Sequence, residues 1–338
     1  MSVPPLSVVM PVRNALPYVE EAVTSIVAQT YEDFEFVIGD DGSTDGSWEA
    51  LQRWAERDRR IRLLRKTGGP SGHVGVGNWM VSEARAPIVA RIDGDDRCYP
   101  DRLRRQMEVL AAEPDAVLVG TGFDTVDGNG AYFRPVDYWR LLQPSTFSPF
   151  PHSSAMFRRD AFDRAGGYRP GANAWEDLDL YLRMARLGRV LVVPEVLTTL
   201  RHAHVSERLR TNPGAMEETF DRMYRCVSAY QRRGSYDAEL DAPAPERLDP
   251  MAFVALGSLR LWSGERPQTL KRLLKRGALR FDARSIKALG WSAWAAVSAP
   301  SLRHALTLML RLRNLGAAKK LAGTPWLEWR PLGPEARD

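Results

Sequence analysis

Short apolar runs alternate with longer, helically spaced segments over the first 120 residues of the chain. Leu6–Val12 is an apolar strand. Tyr18–Gln29 carries Val19, Ala22, Val23, Ile26 and Val27 at the spacing of one helix face. Phe34–Ile38 reads as a second strand, and Ser47–Arg57 as a helix with Trp48, Leu51 and Trp54 on one side. Ile61–Leu64 is a third strand, Gly72–Ala84 a helix after a Gly-rich start, and Ile88–Ile92 a fourth strand. Pro100–Ala112 is a helix with proline in its first turn, and Ala116–Gly120 a fifth strand. Repeated β-α-β units predict an α/β fold whose mostly parallel sheet is flanked by helices. Ligands of such sheets sit outside the carboxyl ends of the strands.

The pattern then changes. Residues 121–175 are less regular and rich in Gly, Pro and aromatics, which suits a second layer carrying loops. Leu178–Arg186 reads as helix, Val190–Val193 as a short strand, and the chain turns helical from about Thr211. Ser235–Pro250 is a candidate linker. The expected organisation is a domain over residues 1–210, with halves at 1–120 and 121–210, and a mainly helical region over 211–338.

Charge sharpens that division. The net charge of +5 hides 14 Lys/Arg against Glu265 and Asp282 between Gly257 and Lys320, so an acidic body precedes a strongly basic segment. Leu270, Leu273 and Leu274 stand beside Lys271, Arg272, Lys275 and Arg276, and residues 288–302 run without a charge but contain Pro300. That run of 15 is shorter than the roughly 18–20 residues a spanning helix needs. Basic, Trp-containing amphipathic helices suit the surface of an anionic bilayer, so peripheral membrane contact is expected. The alternative is a helical domain packed on the acidic body. Nucleic acid is a poor partner, because the aromatics do not interleave with the basic residues as a stacking platform requires.

The remaining composition is that of an ordinary globular protein, 44% hydrophobic and 26% charged over 338 residues. Cys98 and Cys226 give neither a disulfide framework nor a zinc-ligand spacing, and fit a cytoplasmic setting. The first residues, MSVPPLS, lack the basic and apolar regions of a secretory signal.

Candidate chemistry lies at strand ends. The fourth strand, IVARIDGDD at 88–96, ends in Asp93, Asp95 and Asp96. Clustered acids repel one another unless a cation is near, and hard oxygen ligands suit Mg²⁺ or Mn²⁺ held against a phosphate. A solvated acidic turn is the plain alternative. The second strand ends in Asp40 and Asp41, followed by Gly42, and a carboxylate there can accept the imide N–H of a pyrimidine ring. Ser43 and Asp45 can cap the next helix instead. Glu176 and Asp177 stand at a helix start, where acids serve the helix dipole or a fixed general base.

Several motifs in one order resemble the family 2 glycosyltransferases of the GT-A fold. They are SVVMPVRN at 7–14, SIVAQTY at 25–31, FEFVIGDDGSTD at 34–45, DGDD at 93–96, PDRL at 100–103, HSSAMFRR at 152–159, GGY at 166–168 and the Glu176-Asp177 pair. The resemblance covers about residues 5–206 and implies a Rossmann-like nucleotide-sugar fold. It implies an inverting transfer from a nucleoside-diphosphate sugar, UDP-sugar foremost, to a saccharide or lipid-linked acceptor in cell-surface polysaccharide or glycolipid synthesis.

Residue by residue, the resemblance implies that Pro11, Val12, Arg13, Asn14, Asp40 and Asp41 surround the nucleotide base, with Asn78 near the ribose. Asp93 and Gly94 would face the ribose side, Asp95 would hold Mn²⁺ or Mg²⁺, and Asp96 would support it. Asp177 matches the catalytic base. His152, Trp175 and Glu176 fall on the acceptor side. The segment LRHAHVS at 200–206 resembles one that folds back towards the diphosphate, where His202 and His204 compete for one place and His204 is taken as the metal ligand. Arg13 and Gly39 depart from the family pattern, which usually has an aromatic and an apolar residue there. Two other classes fit this sequence less well. A haloacid-dehalogenase-type phosphotransferase needs Thr or Val where Arg97 stands, and a non-catalytic scaffold does not need this full set of carboxylates.

Overall fold

A computed structural model describes residues 3–66, 72–130, 132–134, 148, 150–172, 175–202, 213–242 and 325–331. The strands are β1 (Leu6–Val12), β2 (Phe34–Asp40), β3 (Ile61–Arg65), β4 (Ile88–Arg91), β5 (Arg97–Cys98), β6 (Ala116–Asp127), β7 (Tyr132–Arg134), β8 (Met156–Arg158), β9 (Arg189–His202) and β10 (Leu327–Trp329). The α-helices are α1 (Val19–Val27), α2 (Ser47–Arg57), α3 (Gly72–Glu83), α4 (Arg102–Ala112), α5 (Arg159–Arg164), α6 (Glu176–Met184), α7 (Pro213–Arg233) and α8 (Asp237–Leu240). The strands form one sheet in the order β10-β9-β6-β8-β4-β1-β2-β3, with β5 also on β9 and β7 on β6.

The expected parallel β-α-β layer is present as β3-β2-β1-β4. Its strands are apolar because helices cover both faces. Leu6, Val8, Met10 and Val12 of β1 share a core with Val19, Val23 and Ile26 of α1, Leu51 of α2 and Leu103, Val109 and Leu110 of α4. On the other face, a Cβ on Gly39 would lie 2.0 Å from Met80 Sδ of α3. Glycine therefore replaces the usual apolar strand residue because Met80 fills its place.

The sheet as a whole is mixed rather than mostly parallel. Strand β8 runs antiparallel to both β4 and β6, and β10 runs antiparallel to β9. Two glycines concealed this half. Strand β6 continues through Gly120, where a Cβ would meet the Phe150 ring at 2.0 Å, and Gly122, where it would meet the Glu195 carbonyl at 2.7 Å. These glycines admit close neighbours and do not end the strand. Likewise β9 runs on through Pro194 to a length of 14 residues, well beyond the expected Val190–Val193. Strand β10 lies inside a segment expected to be helical and pairs Leu327 with Val192.

The described residues between 3 and 201 and those at 325–331 form one compact unit, and α7 and α8 belong to a second. In the second unit Met223, Cys226, Val227 and Tyr230 of α7 are buried, and the Tyr230 ring lies 6.1 Å from that of Tyr236. Among the described residues no helix is long and apolar enough to cross a membrane. The basic segment 257–320 lies outside the described residues.

Candidate active site

Register alone brings the two acid loops together. Strand β1 lies between β2 and β4, pairing Val12 with Asp40 on one side and Val9 with Arg91 on the other. The Asp41 N–H donates to the Val12 carbonyl at 2.8 Å, and the Ile92 N–H to the Val9 carbonyl at 3.1 Å. A Cβ on Gly94 would lie 3.3 Å from both Val12 Cγ2 and Ala15 Cβ, so the Asp93–Asp96 loop sits directly on the end of β1. Pro11 is half-buried beside it.

On the β2 side, Asp40 is fully buried. Its carboxylate accepts the Ser43 N–H at 3.2 Å and lies 3.3 Å from Arg65 Nε, so it braces the turn. Asp41 is also buried. Asn14 adopts a left-handed φ of 50°, which asparagine tolerates. Its N–H donates to Ser43 Oγ at 2.9 Å, and its side-chain oxygen accepts the Thr44 N–H at 2.8 Å. Arg13 is exposed.

The three acids of the second loop have unequal surroundings. Asp93 accepts a hydrogen bond from Arg91 Nη2 at 2.8 Å. Ser153 Oγ accepts the Asp93 N–H at 3.1 Å and lies 3.1 Å from Asp93 Oδ2. The same hydroxyl touches Asp96, whose other oxygen accepts the Arg201 N–H at 2.8 Å. Burial pushes the Asp93 carboxyl up, but Arg91 and then His152 outweigh it and hold it at about 2. Asp95 is pushed up to about 6 by burial and then by Asp93, and Asp96 well above the usual range by burial and then by Asp95. Among the described residues the Asp95 carboxyl takes a hydrogen bond only from its own backbone N–H. The donor chemistry of this loop therefore fits a hard divalent cation, with Asp95 as the open oxygen ligand.

Beneath the loop, Arg102 is fully buried and donates to the Arg91 carbonyl at 2.7 Å and the Ala155 carbonyl at 3.3 Å. Arg201 donates from Nε to the Asp95 carbonyl at 3.1 Å, lies 4.5 Å over the Tyr18 ring, and pairs with Glu21. The end of β9 is thus tied to the backbone of the acid loop.

The acceptor side begins at α6. Asp177 is half-buried, and its Oδ1 accepts the Leu178 N–H at 2.7 Å. Burial, and then the Glu176 charge, pushes its carboxyl up to about 6. Glu176 is buried, and its Oε2 has no hydrogen-bond partner among the described residues. Asp179, two residues on, is fully buried between Arg169 and Arg183 and anchors the helix. The His152 Nε2 lies 2.6 Å from the Tyr168 hydroxyl. Burial, followed by Arg91, pulls the His152 pKa well below the ordinary imidazole value.

The sequence model for "Glycosyl transferase family 2" matches residues 7–166. The O-antigen biosynthesis glycosyltransferase WbnJ of Escherichia coli is 31% identical over 184 residues, covering 53% of this chain and 71% of WbnJ. The chain belongs to glycosyltransferase family 2. As a family member it is an enzyme that transfers glycosyl groups. S. aureus TarS 1–349, solved in complex with UDP-GlcNAc, shares the fold with a TM-score of 0.54 at 15% identity over 92% of this chain and 88% of that one. The mannosyltransferase PcManGT of Pyrobaculum calidifontis, solved with GDP-Man and Mn²⁺, does so with a TM-score of 0.55 at 22% identity over 96% and 88%.

In this family 2 glycosyltransferase, two of the candidate residues are engaged within the fold. The Asn78 side chain is engaged with the Tyr168 backbone, at 2.9 Å in both directions. Trp175 is 3% exposed at the start of α6, so its ring is packed rather than presented for stacking on a sugar. His204 lies outside the described residues. Arg97 sits on β5, paired with Glu21 at 2.8 Å, and supplies none of the hydroxyl chemistry of a haloacid-dehalogenase site. Sequence reasoning passed over Arg91, Ser153, Arg102 and Arg201. Only Arg91 carried a signal of its own, as a charge inside an otherwise apolar strand.

Proposed function

We propose that the enzyme is a divalent-metal-dependent, inverting glycosyltransferase. It moves a sugar from a nucleoside-diphosphate sugar, UDP-sugar foremost, to an acceptor hydroxyl. The observation that carries this reading is the setting of two carboxylates, one in the acid loop at the end of β1 and one at the start of α6. Asp95 stands in a like-charged loop with an open oxygen, while Asp177 holds a proton affinity near that needed of a base at neutral pH.

Asp95 would hold Mn²⁺ or Mg²⁺, whose charge stabilises the departing diphosphate. His204, in the segment that follows β9, would be a second ligand, and phosphate oxygens and water would complete the set. Arg91 and Ser153 fix Asp93 for the ribose side. Pro11, Val12 and Asp41 border the base, and a buried carboxylate suits the imide N–H of uracil. Asp177 takes the proton of the acceptor hydroxyl. The hydroxyl oxygen bonds to the anomeric carbon from the face opposite the leaving group, and the carbon–oxygen bond to the diphosphate breaks. One displacement inverts the configuration, and the proton remains on Asp177. The role of WbnJ in O-antigen biosynthesis supports polysaccharide or glycolipid synthesis as the setting.

The catalytic unit would extend over residues 1–210. The basic residues between Gly257 and Lys320 support peripheral contact with the inner face of an anionic membrane. Full-length protein should then sediment with anionic vesicles and remain in solution with zwitterionic ones.

A thermal-shift panel of nucleotide sugars with and without Mn²⁺ tests the donor reading, because specific binding stabilises the fold by mass action. A metal-dependent shift with UDP-sugars is expected. Absence of any shift would favour a non-catalytic scaffold. Asp177→Asn should keep the shift and lose transfer, and retained turnover would reject Asp177 as the base.

A further inference from the structure

Asp95 is held from outside its own turn. The turn is closed by the Asp96 N–H, which donates to the Asp93 carbonyl at 3.2 Å, and the Asp93 N–H is taken by Ser153. Gly94 packs on Ala15, where an added Cβ would lie 3.3 Å from Ala15 Cβ. The next peptide is gripped by Arg201 of β9. Its Nε donates to the Asp95 carbonyl at 3.1 Å, and its main-chain N–H donates to Asp96 Oδ1 at 2.8 Å. A carbonyl fixed in direction fixes the backbone of its own residue, and with it the direction in which the Asp95 side chain leaves the turn.

Arg201 can grip the turn because its other end is anchored. Its side chain is 4% exposed. The guanidinium lies 4.5 Å over the Tyr18 ring, and a Cβ on Gly130 would be 3.8 Å from Nη1. Its Nη2 pairs with Glu21 of α1, and Glu21 also holds Arg97 of β5 at 2.8 Å. Strand β5 is tied to the same helix a second time, since the Cys98 N–H donates to Ser25 Oγ at 3.1 Å. One helix therefore holds both the side chain that grips the turn and the strand by which the chain leaves it. The guanidinium is enclosed by the protein rather than presented to a ligand.

Three carboxylates in one turn repel one another, most strongly before a cation arrives. A turn left to relax would have to be drawn together again on binding, which weakens affinity. We propose that Arg201 is a positioning residue for the metal turn: a strut from Glu21 of α1 to the Asp95 carbonyl that keeps the Asp95 carboxylate in place for Mn²⁺ or Mg²⁺ before the ion binds. The inference rests on Asp95 being the metal ligand. It adds that the affinity for the ion is set in part from α1, by residues that touch neither ion nor nucleotide.

Calorimetry of UDP binding to the full chain, with and without Mn²⁺, tests the strut. Arg201→Met keeps an apolar stem on Tyr18 and the main-chain bond to Asp96, but removes the donor to Asp95. UDP affinity in Mn²⁺ should fall about tenfold, while affinity without metal should be unchanged. Glu21→Gln, at the far end of the strut, should give a smaller loss of the same metal-dependent kind, about threefold. The double variant should be no worse than Arg201→Met alone, because both changes cut one strut. Equal losses with and without Mn²⁺ would make Arg201 a contact of the nucleotide itself and overturn the inference. Additive losses in the double variant, or a folded Arg201→Met with wild-type affinity in Mn²⁺, would overturn it too. Should Arg201→Met fail to fold, Glu21→Gln decides alone: a metal-dependent loss supports the strut, and wild-type affinity overturns it. Failure of the metal assignment is seen separately, as Asp95→Ala with unchanged UDP affinity in Mn²⁺.

Discussion

Asn78 and Tyr168 clasp one another across 90 positions of sequence: the Asn78 amide donates to the Tyr168 carbonyl at 2.9 Å, and the Tyr168 N–H donates to Asn78 Oδ1 at 2.9 Å. The pair joins α3 to the loop that follows α5, and Gly167, at φ 64°, gives the chain its turn into the clasp. Asn78→Ala removes both bonds and leaves two part-buried backbone groups unsatisfied. A stability loss of about 2–3 kcal/mol is expected. The urea unfolding midpoint measures it. A normal midpoint with a raised nucleotide KM would return Asn78 to the ribose contact implied by the family resemblance.

Asp179 offers a sharper test of how the helix start is held. It is fully buried between Arg169 and Arg183, and Arg183 also donates to the Gly167 carbonyl at 2.7 Å. Asp179→Ala would leave two guanidinium groups without their carboxylate. Breaking a buried pair in this way costs about 3–5 kcal/mol. Chemical denaturation should show that loss, and kcat at a temperature where the variant is folded should fall far less than in Asp177→Asn.

The parallel half of the fold was legible because its code is local. Leu6–Val12 and Ser47–Arg57 are strand and helix with the boundaries read from periodicity. The antiparallel half was not, because Gly120, Gly122 and Pro194 look like breaks until the Phe150 ring and the Glu195 carbonyl are seen against them. The carboxylates of the site were legible from type and position at strand ends. Their counter-charges were not. Arg102 and Arg201 lie in ordinary helix and strand patterns, and only the three-dimensional path of β9 brings Arg201 over the Asp95 carbonyl.

Asp95 should separate metal-assisted binding from nucleotide binding as such. Its carboxyl sits beside Asp93 and Asp96 with a free oxygen face, and Asp95→Ala removes that face without touching the Arg91–Asp93 contact. Donor affinity measured by calorimetry with Mn²⁺ should fall by roughly tenfold to a hundredfold, whereas affinity without metal should change little. Equal affinities for the two proteins in Mn²⁺ would remove Asp95 from the metal site.

The pH dependence of Asp177 carries opposite signs for catalysis and for stability. Burial, then Glu176, raises this carboxyl from 3.8 to about 6. The base works unprotonated, so kcat should be level near neutrality and fall about tenfold per unit below about pH 6. The same shift means that the folded chain holds this proton more tightly than the unfolded chain. The group therefore favours the fold at acidic pH, and that contribution is lost as pH rises from about 4 through about 6. Above that window ionised Asp177 opposes folding by up to about 3 kcal/mol, the upper bound for a shift of this size. Asp177→Asn is neutral at every pH. It should be inactive yet more stable than wild type at pH 8, with the advantage vanishing below about pH 4. Unfolding curves at the two pH values, set beside the kcat profile, check both signs in the same pair of proteins. An equal stability difference at pH 4 and pH 8 would mean that Asp177 does not titrate in this window, and the acidic limb of kcat would then belong to another group.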